Sequence, residues 1–339
     1  MSEHVGEDRE IDRPPAVGPA PTVAAVAIGL VVFAGCCRVR PDVAVGLGLL
    51  GLTYTAIERW RPVHRQSSAF RRTGSATDAT HFVVDEVLAA AGLATVVFVA
   101  LPVVRAAVPA QVPHLLHRGP SGLTWALGLV LAEVFGYWGH RLSHEIPILW
   151  RFHRVHHSSP TMDWLAPNRR HPLDMTFARS SVALPMFALG FGLPMLVGHF
   201  VIRRFQGLFV HANWNIRLGP LEWVIATPHF HHWHHADDPA AWNRNYAGQS
   251  MIVDKVFGTL HRPAGWPATY GCDGYVPDRG YVAQLLSPWH RANRRTVQWR
   301  DPMPLTAAAL AVQVDRPIQS SRTVRASFDQ HARSVQLLR

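Results

Sequence analysis

Nine histidines stand at spacings that suit metal chemistry. HRLSH puts His140 and His144 four residues apart. HRVHH puts His153, His156 and His157 at i, i+3 and i+4, and HFHHWHH repeats that spacing at His231, His234 and His235. His211, in VHANWN, lies between these two boxes. Residues three and four apart share one face of a helix, so each box turns its imidazoles toward one point. Imidazole is a borderline ligand for iron, copper, zinc and nickel. A single HxxxH pair is weak evidence, because chance pairs are common; two HxxHH boxes beside one are not. One ion takes about four to six ligands. Nine imidazoles therefore argue for two ions close together.

Other residues suit support rather than ligation. Glu133 lies two helical turns before His140 and could fix the tautomer of a ligand imidazole, or equally make a helix–helix hydrogen bond. His171, followed by a proline, and Asp174 in RRHPLD are expected to meet substrate or to brace a ligand. Asp163, Asp237 and Asp238 are further acids of this kind. His229 and His232 fall off the box pattern and are expected to be structural, and His199 has no spacing argument.

These residues need elements to carry them. Apolar blocks run over 22–37, 43–57, 87–104, 123–137 and 181–197. Spanning a bilayer takes about 20 apolar residues, so the first two are short, and together they read as a helical hairpin. The last contains Pro185 and Pro194 and reads as a kinked span or a re-entrant hairpin. The expected fold is all-α: a membrane helical bundle of about four spans plus a re-entrant segment, with a cytosolic helical cap holding the histidine boxes. The stretch ERWRPVHRQSSAFRR and the arginines around the boxes are both strongly basic, which puts both on the cytoplasmic side. His140 follows the fourth block directly, so the site should lie at the membrane–water boundary, where a lipid can reach it.

The bulk numbers agree. Hydrophobic residues make up 48% and charged residues 17%, with a net charge of +10 carried mostly by arginine. The arginines flank apolar blocks, which favours lipid head groups over nucleic acid as the cause of that charge. Arg141, Arg154 and Arg170 suit an anionic head group, though positive-inside charge explains them as well. Three cysteines, two of them adjacent in an apolar run, exclude a disulfide framework or a cysteine zinc site. Residues 1–21 read as a tail, 22–263 as the membrane and metal domain, and 264–339 as a C-terminal interfacial segment and tail, with the aromatic and arginine-rich 281–300 at the interface.

From about Ala132 to Leu260 the sequence resembles the fatty acid hydroxylase/sterol desaturase superfamily of membrane di-iron oxygenases. YWGHRLSHEIPILWRFHRVHHSS looks like its first two boxes, RRHPLD like its RxHPxE segment, and VHANWN like its His-Ala-Asn segment. TPHFHHWHH resembles the last box, and NRNYAG with VDKVFGT resembles the ending. Val253 and Ala247 depart from the pattern without touching a box. The resemblance implies two irons held by the nine histidines, O2 as co-substrate, a lipid substrate, and electrons from a separate ferredoxin, cytochrome or reductase. The implied activity is lipid hydroxylation or desaturation.

Two rivals use the same histidines. A membrane zinc hydrolase needs an acid or base beside its bound water, but the box reads HRLSH rather than HExxH. A metal-binding transporter or sensor spreads ligands through its spans, whereas these cluster.

Overall fold

In a computed structural model, the described residues are 38, 41–65, 69–72, 74–112, 121–272, 276 and 280–289. They fold into helices α1 (Pro41–Trp60), α2 (Ser75–Ala106), α3 (Ser121–Glu145), α4 (Pro147–His157), α5 (Pro172–Ala188), α6 (Leu193–His211), α7 (Pro228–His234), α8 (Met251–Val256) and α9 (Tyr281–Leu286). No strand occurs among them; one isolated bridge joins Ala236 to Tyr270. The architecture is all-helical, as expected. The block at 22–37 lies outside the described residues, as do the tail at 1–21 and residues 290–339.

One helix among the described residues, α2, is long and apolar enough to cross a membrane. Its 32 residues reach about 48 Å, against a hydrocarbon layer of about 30 Å. The surplus lies at its polar start, where Asp78, His81 and Asp85 are buried against other elements. Its apolar half exposes Val87, Phe98, Val99 and Val103. The other helices among the described residues are not apolar enough over such a length. Glycines, threonines and a tyrosine dilute α1, and α3 turns polar as it carries the first histidine box.

The block at 181–197 is neither one helix nor a kink. Helix α5 ends at Ala188, Gly190 turns the chain at φ 85°, and α6 starts at Leu193 with Pro194 in its first turn. The pair forms a hairpin whose two open ends, His171 and His211, both return to the histidine region. Its closed end packs Val182, Met186, Phe191 and Met195 against Ala132 of α3. Helix α5 lies against both α2 and α3. Gly139 permits the second contact, because a Cβ there would collide with Ser181.

The interior is polar where the exterior is apolar. Val45, Leu49 and Leu52 of α1, Val130 of α3, and Val201 and Phe205 of α6 are exposed, while arginines, aspartates and histidines are buried. Arg169 donates to Asp78 at 2.6 Å, and Arg72 pairs with both Asp78 and Asp163. Each of these four charges thus has an opposite partner, the condition under which burial is tolerated. Glu58 at the end of α1 accepts from the amides of Trp164 and Asn213. These bonds fasten α1 to the loops beside the second box and beside His211.

Of the segment expected at the interface, residues 281–289 are described, and they pack on other elements. Tyr281 donates to Asp85 at 2.6 Å, Gln284 meets His81 Nε2 at 2.8 Å, and Arg154 donates to the Ser287 carbonyl at 2.7 Å. This stretch is tied into the region that carries the boxes.

Candidate metal centre

Helix α3 carries His140 and His144, α4 carries His153, His156 and His157, α6 ends on His211, and α7 carries His231 and His234 with His235 at its C-cap. The structure gathers these nine side chains into two groups. One holds His140, His144, His153, His157 and His234; the other holds His156, His211, His231 and His235. Within each group the candidate ligand atoms lie within 4.8 Å of one another. The two HxxHH boxes contribute reciprocally. The i and i+4 members of the second box join the first group and its i+3 member joins the other, and for the last box the assignment is reversed. The groups adjoin, since His157 and His235 stack with ring centroids 4.2 Å apart.

The nitrogens suit ions at these positions. His140 and His153 bring their Nε2 atoms to 3.2 Å, His156 and His211 to 3.3 Å, His211 and His231 to 3.2 Å, and His231 and His235 to 3.1 Å. Two nitrogens each about 2.1 Å from one ion, at right angles, stand about 3.0 Å apart. The buried Nε2 atoms of His144, His157 and His234 and the Nδ1 of His231 have no hydrogen-bond partner. Orphaned buried nitrogens are costly unless something else satisfies them. An all-nitrogen set of this size, with lone pairs converging on two points, fits two transition-metal ions.

The opposite ring nitrogens are held. Nδ1 of His140 donates to the Tyr246 carbonyl at 2.6 Å, that of His156 to Arg169 at 3.2 Å, that of His211 to Gly207 at 2.8 Å, and that of His234 to Arg244 at 2.7 Å. His153 Nδ1 donates to Asp174 Oδ1 at 2.9 Å. A proton fixed on Nδ1 leaves the Nε2 lone pair free for a metal. Burial, reinforced by neighbouring imidazoles, holds His140, His144, His156, His157, His231 and His235 well below the usual histidine range. Burial likewise brings His211 and His234 to about 3. All are therefore neutral near pH 7, the form that ligates metal.

The segments after the last box explain themselves through these bonds. Asn243 and Asn245 adopt positive φ, 56° and 58°, and turn the chain so that Arg244 and Tyr246 aim their carbonyls at histidines. Asn245 fixes the turn by donating to Phe230 and His261 carbonyls and accepting from the His261 amide. Asp254 accepts from the amides of Tyr246 and Ala247 and from Thr259.

The supporting residues divide. Asp174 meets His153 and also accepts from Arg170 Nε at 3.0 Å and Nη2 at 2.7 Å. Burial alone would raise its pKa, but Arg170 and His153 hold it well below the usual carboxylate range. Glu133, expected to fix a tautomer or to make a helix–helix hydrogen bond, bonds instead to a loop backbone. Its Oε1 faces the amides of Gly248, Gln249 and Ser250 at 3.0, 2.7 and 3.4 Å, because the loop after the last box passes beside α3 at that level. His171 belongs to neither group: it caps α5 by accepting from Leu173 and donates to the Leu285 carbonyl. Asp163 serves Arg72, while Asp237 and Asp238 lie in a turn away from the groups. His229 and His232 bond to the carbonyls of Gly265 and Ala212. Arg141 and Arg154 are buried on protein partners.

A cavity of about 180 Å³ opens beside both groups, lined by His140 and His153 from one and His156, His211 and His231 from the other. Its wall also carries Arg170, Arg179, Arg203, Arg204 and His199. The sequence reading passed over Arg179, Arg203 and Arg204. Adjacent arginines inside a helix as apolar as α6 were the available signal.

The described residues thus combine an all-helical frame with two histidine groups that could each hold a metal ion. Residues 125–259 match the family model described as fatty acid hydroxylase. An ornithine lipid hydroxylase of Rhizobium tropici is 36% identical over 187 residues, 55% of this chain and 56% of that protein. An alkylglycerol monooxygenase of Xenopus tropicalis is 31% identical over 142 residues, 41% of this chain and 31% of that protein. A methylsterol monooxygenase of Gallus gallus is 26% identical over 132 residues, 38% and 43% of the two chains. The matches span about half or less of these relatives. No solved structure matches. Residues 125–259 are thus similar to the fatty acid hydroxylase family, and the relatives named are hydroxylases or monooxygenases of lipids and sterols by name.

Proposed function

We propose that this chain is an O2-dependent di-iron lipid hydroxylase of the membrane, with the nine histidines as ligands. The observation that carries this reading is the sorting of nine imidazoles, eight of them buried and His140 half-buried, into two adjoining groups beside one cavity. The relatives named above hydroxylate or oxygenate lipids by name, which supports the same class of reaction.

Bound iron supplies reductive activation of O2 and attack on an aliphatic C–H bond. The net reaction consumes the lipid, O2, two electrons and two protons, and yields the alcohol and water. The electrons come from a separate donor, a ferredoxin, cytochrome or reductase. The protein's own contributions are local. Asp174 and the carbonyls of Arg169, Gly207, Arg244 and Tyr246 hold protons on the outer ring nitrogens. Those bonds fix the direction of each Nε2, so little reorganisation is needed on loading. The buried walls exclude water from the groups.

We read α2 and the apolar outer faces of α1, α3 and the α5–α6 hairpin as lying in the bilayer, with the histidine region toward the cytoplasm. The exposed apolar side chains on all of these helices support that arrangement.

Metal analysis of the purified full chain tests the reading. Two irons per chain are expected, falling to about one in His156→Ala, which removes a ligand from one group only. Lipid profiles of a host with and without the gene, beside His156→Ala, should differ by a hydroxylated lipid. One zinc per chain with O2-independent activity sinks the proposal.

A further inference from the structure

The cavity beside the histidine groups has a second chemistry. Its lining residues include four arginines and, among the described residues, no carboxylate. Arg170 is bonded to Asp174. Arg203 is different: it pairs with Glu133 Oε2 at 3.8 Å, an ion pair longer than a hydrogen bond. Glu133 already spends its other oxygen on backbone amides. Arg203 stands where Gly248 leaves room, since a Cβ on Gly248 would overlap its guanidinium.

A second observation points to a ligand. His199, one helical turn before Arg203 on α6, is 1% exposed and lines the same cavity. Its Nδ1 is buried with no hydrogen-bond partner. A buried ring nitrogen without a partner, beside a guanidinium whose ion pair with Glu133 leaves its N–H groups without a carboxylate at hydrogen-bond length, forms a polar recess in the wall of an otherwise partly apolar cavity. Phe82, Phe200, Met175 and Val182 supply that apolar part. A bidentate guanidinium suits a phosphate or a carboxylate.

Resting on the reading of the site as a lipid oxygenase, we propose that Arg203 and His199 bind the anionic group of the lipid substrate, a phosphate or carboxylate, and so hold its oxidised carbon close to the head group. Arg203 lies eight residues before His211 on α6, about 12 Å along the axis. A lipid seated on Arg203 therefore offers the metals a carbon within that reach of its charged end, and not the far end of a long acyl chain. Arg179 and Arg204 add positive potential to the same wall, Arg204 lying over Phe82 at 4.8 Å.

Binding of chain-matched probes to the purified, iron-loaded full chain tests this, with hexadecyl phosphate, palmitate, hexadecanol and inorganic phosphate measured side by side. Hexadecyl phosphate or palmitate is expected to bind at least about tenfold tighter than hexadecanol, since hydrogen bonds to a charged group gain more. Arg203→Gln should erase that preference and leave hexadecanol affinity unchanged, while Arg203→Lys retains much of it. Unchanged hexadecanol affinity and iron content certify that the variants are folded. If Arg203→Gln does not fold, the wild-type probe series and Arg203→Lys still decide. Equal binding of hexadecanol and the anionic probes overturns the proposal, as does an undiminished preference in Arg203→Gln. Inorganic phosphate binding as tightly as hexadecyl phosphate assigns the recess to a free anion and overturns the lipid assignment. Iron content read on the same samples separates the two readings. A chain without paired iron refutes the oxygenase, whereas a chain with paired iron and no head-group preference refutes only the anion site.

Discussion

Replacing Asp174 by asparagine tests the coupling between the ligands and their support. Asp174 is 4% exposed and accepts one hydrogen bond from His153 and two from Arg170. Asparagine keeps the shape but removes the charge, and its amide group must oppose one of those donors. His153 then loses the partner that holds its proton on Nδ1. Loss of such an outer partner typically lowers metal affinity by about 10- to 100-fold, or about 1.4 to 2.7 kcal/mol. Stability falls separately, because breaking a buried charge pair costs about 3 to 5 kcal/mol. Arg170 retains 27% side-chain exposure and can recruit water, so about 2 to 3 kcal/mol is expected here. Iron titration of the metal-free protein against a competing chelator reads the first effect, and denaturant unfolding reads the second. Asp78→Asn is the control: Asp78 is as deeply buried and pairs with Arg72 and Arg169, but touches no imidazole. It should lose stability and keep its metal affinity. The reasoning is refuted if Asp174→Asn binds iron like the wild type, or if Asp78→Asn weakens binding equally.

Three further outcomes are expected. The metal-free protein should lose stability as pH falls below about 6.5, the ordinary histidine value. His211 and His234 stay neutral in the fold down to about 3, so between these values the unfolded chain binds protons that the fold refuses. Each group then removes up to about 1.4 kcal/mol per pH unit; denaturant midpoints should be lower at pH 5.5 than at pH 7.5 and flat above it. Glu133→Ala strips a carboxylate from three amides and should cost about 2 to 4 kcal/mol in unfolding experiments, with iron stoichiometry at saturating iron unchanged. Gly139→Val forces α3 away from Ser181 on α5 and should cost about 1 to 3 kcal/mol or more, read as a lowered melting temperature.

Much of the candidate site was legible because helical spacing is a local property. His140 with His144, and each HxxHH box, share a face wherever the chain is helical, so their cooperation follows from the 3.6-residue repeat. Their number alone called for two ions. The all-helical class was legible from the same periodicity and from the apolar blocks. What the sequence could not assign was the partner of each imidazole. His153 and His157 leave their neighbour His156 to join His140 and His144, because the two faces of α4 look toward different helices. His234 parts from His231 and His235 for the same reason. Glu133 sits two turns from His140 in the chain, yet the loop at 248–250 reaches it first. Arg203 and His199 gained meaning only when the α5–α6 hairpin closed and turned that side of α6 toward α2 and α3. Spacing fixes which residues on one element face the same way; what they face depends on how distant elements pack, and that is decided by the tertiary fold.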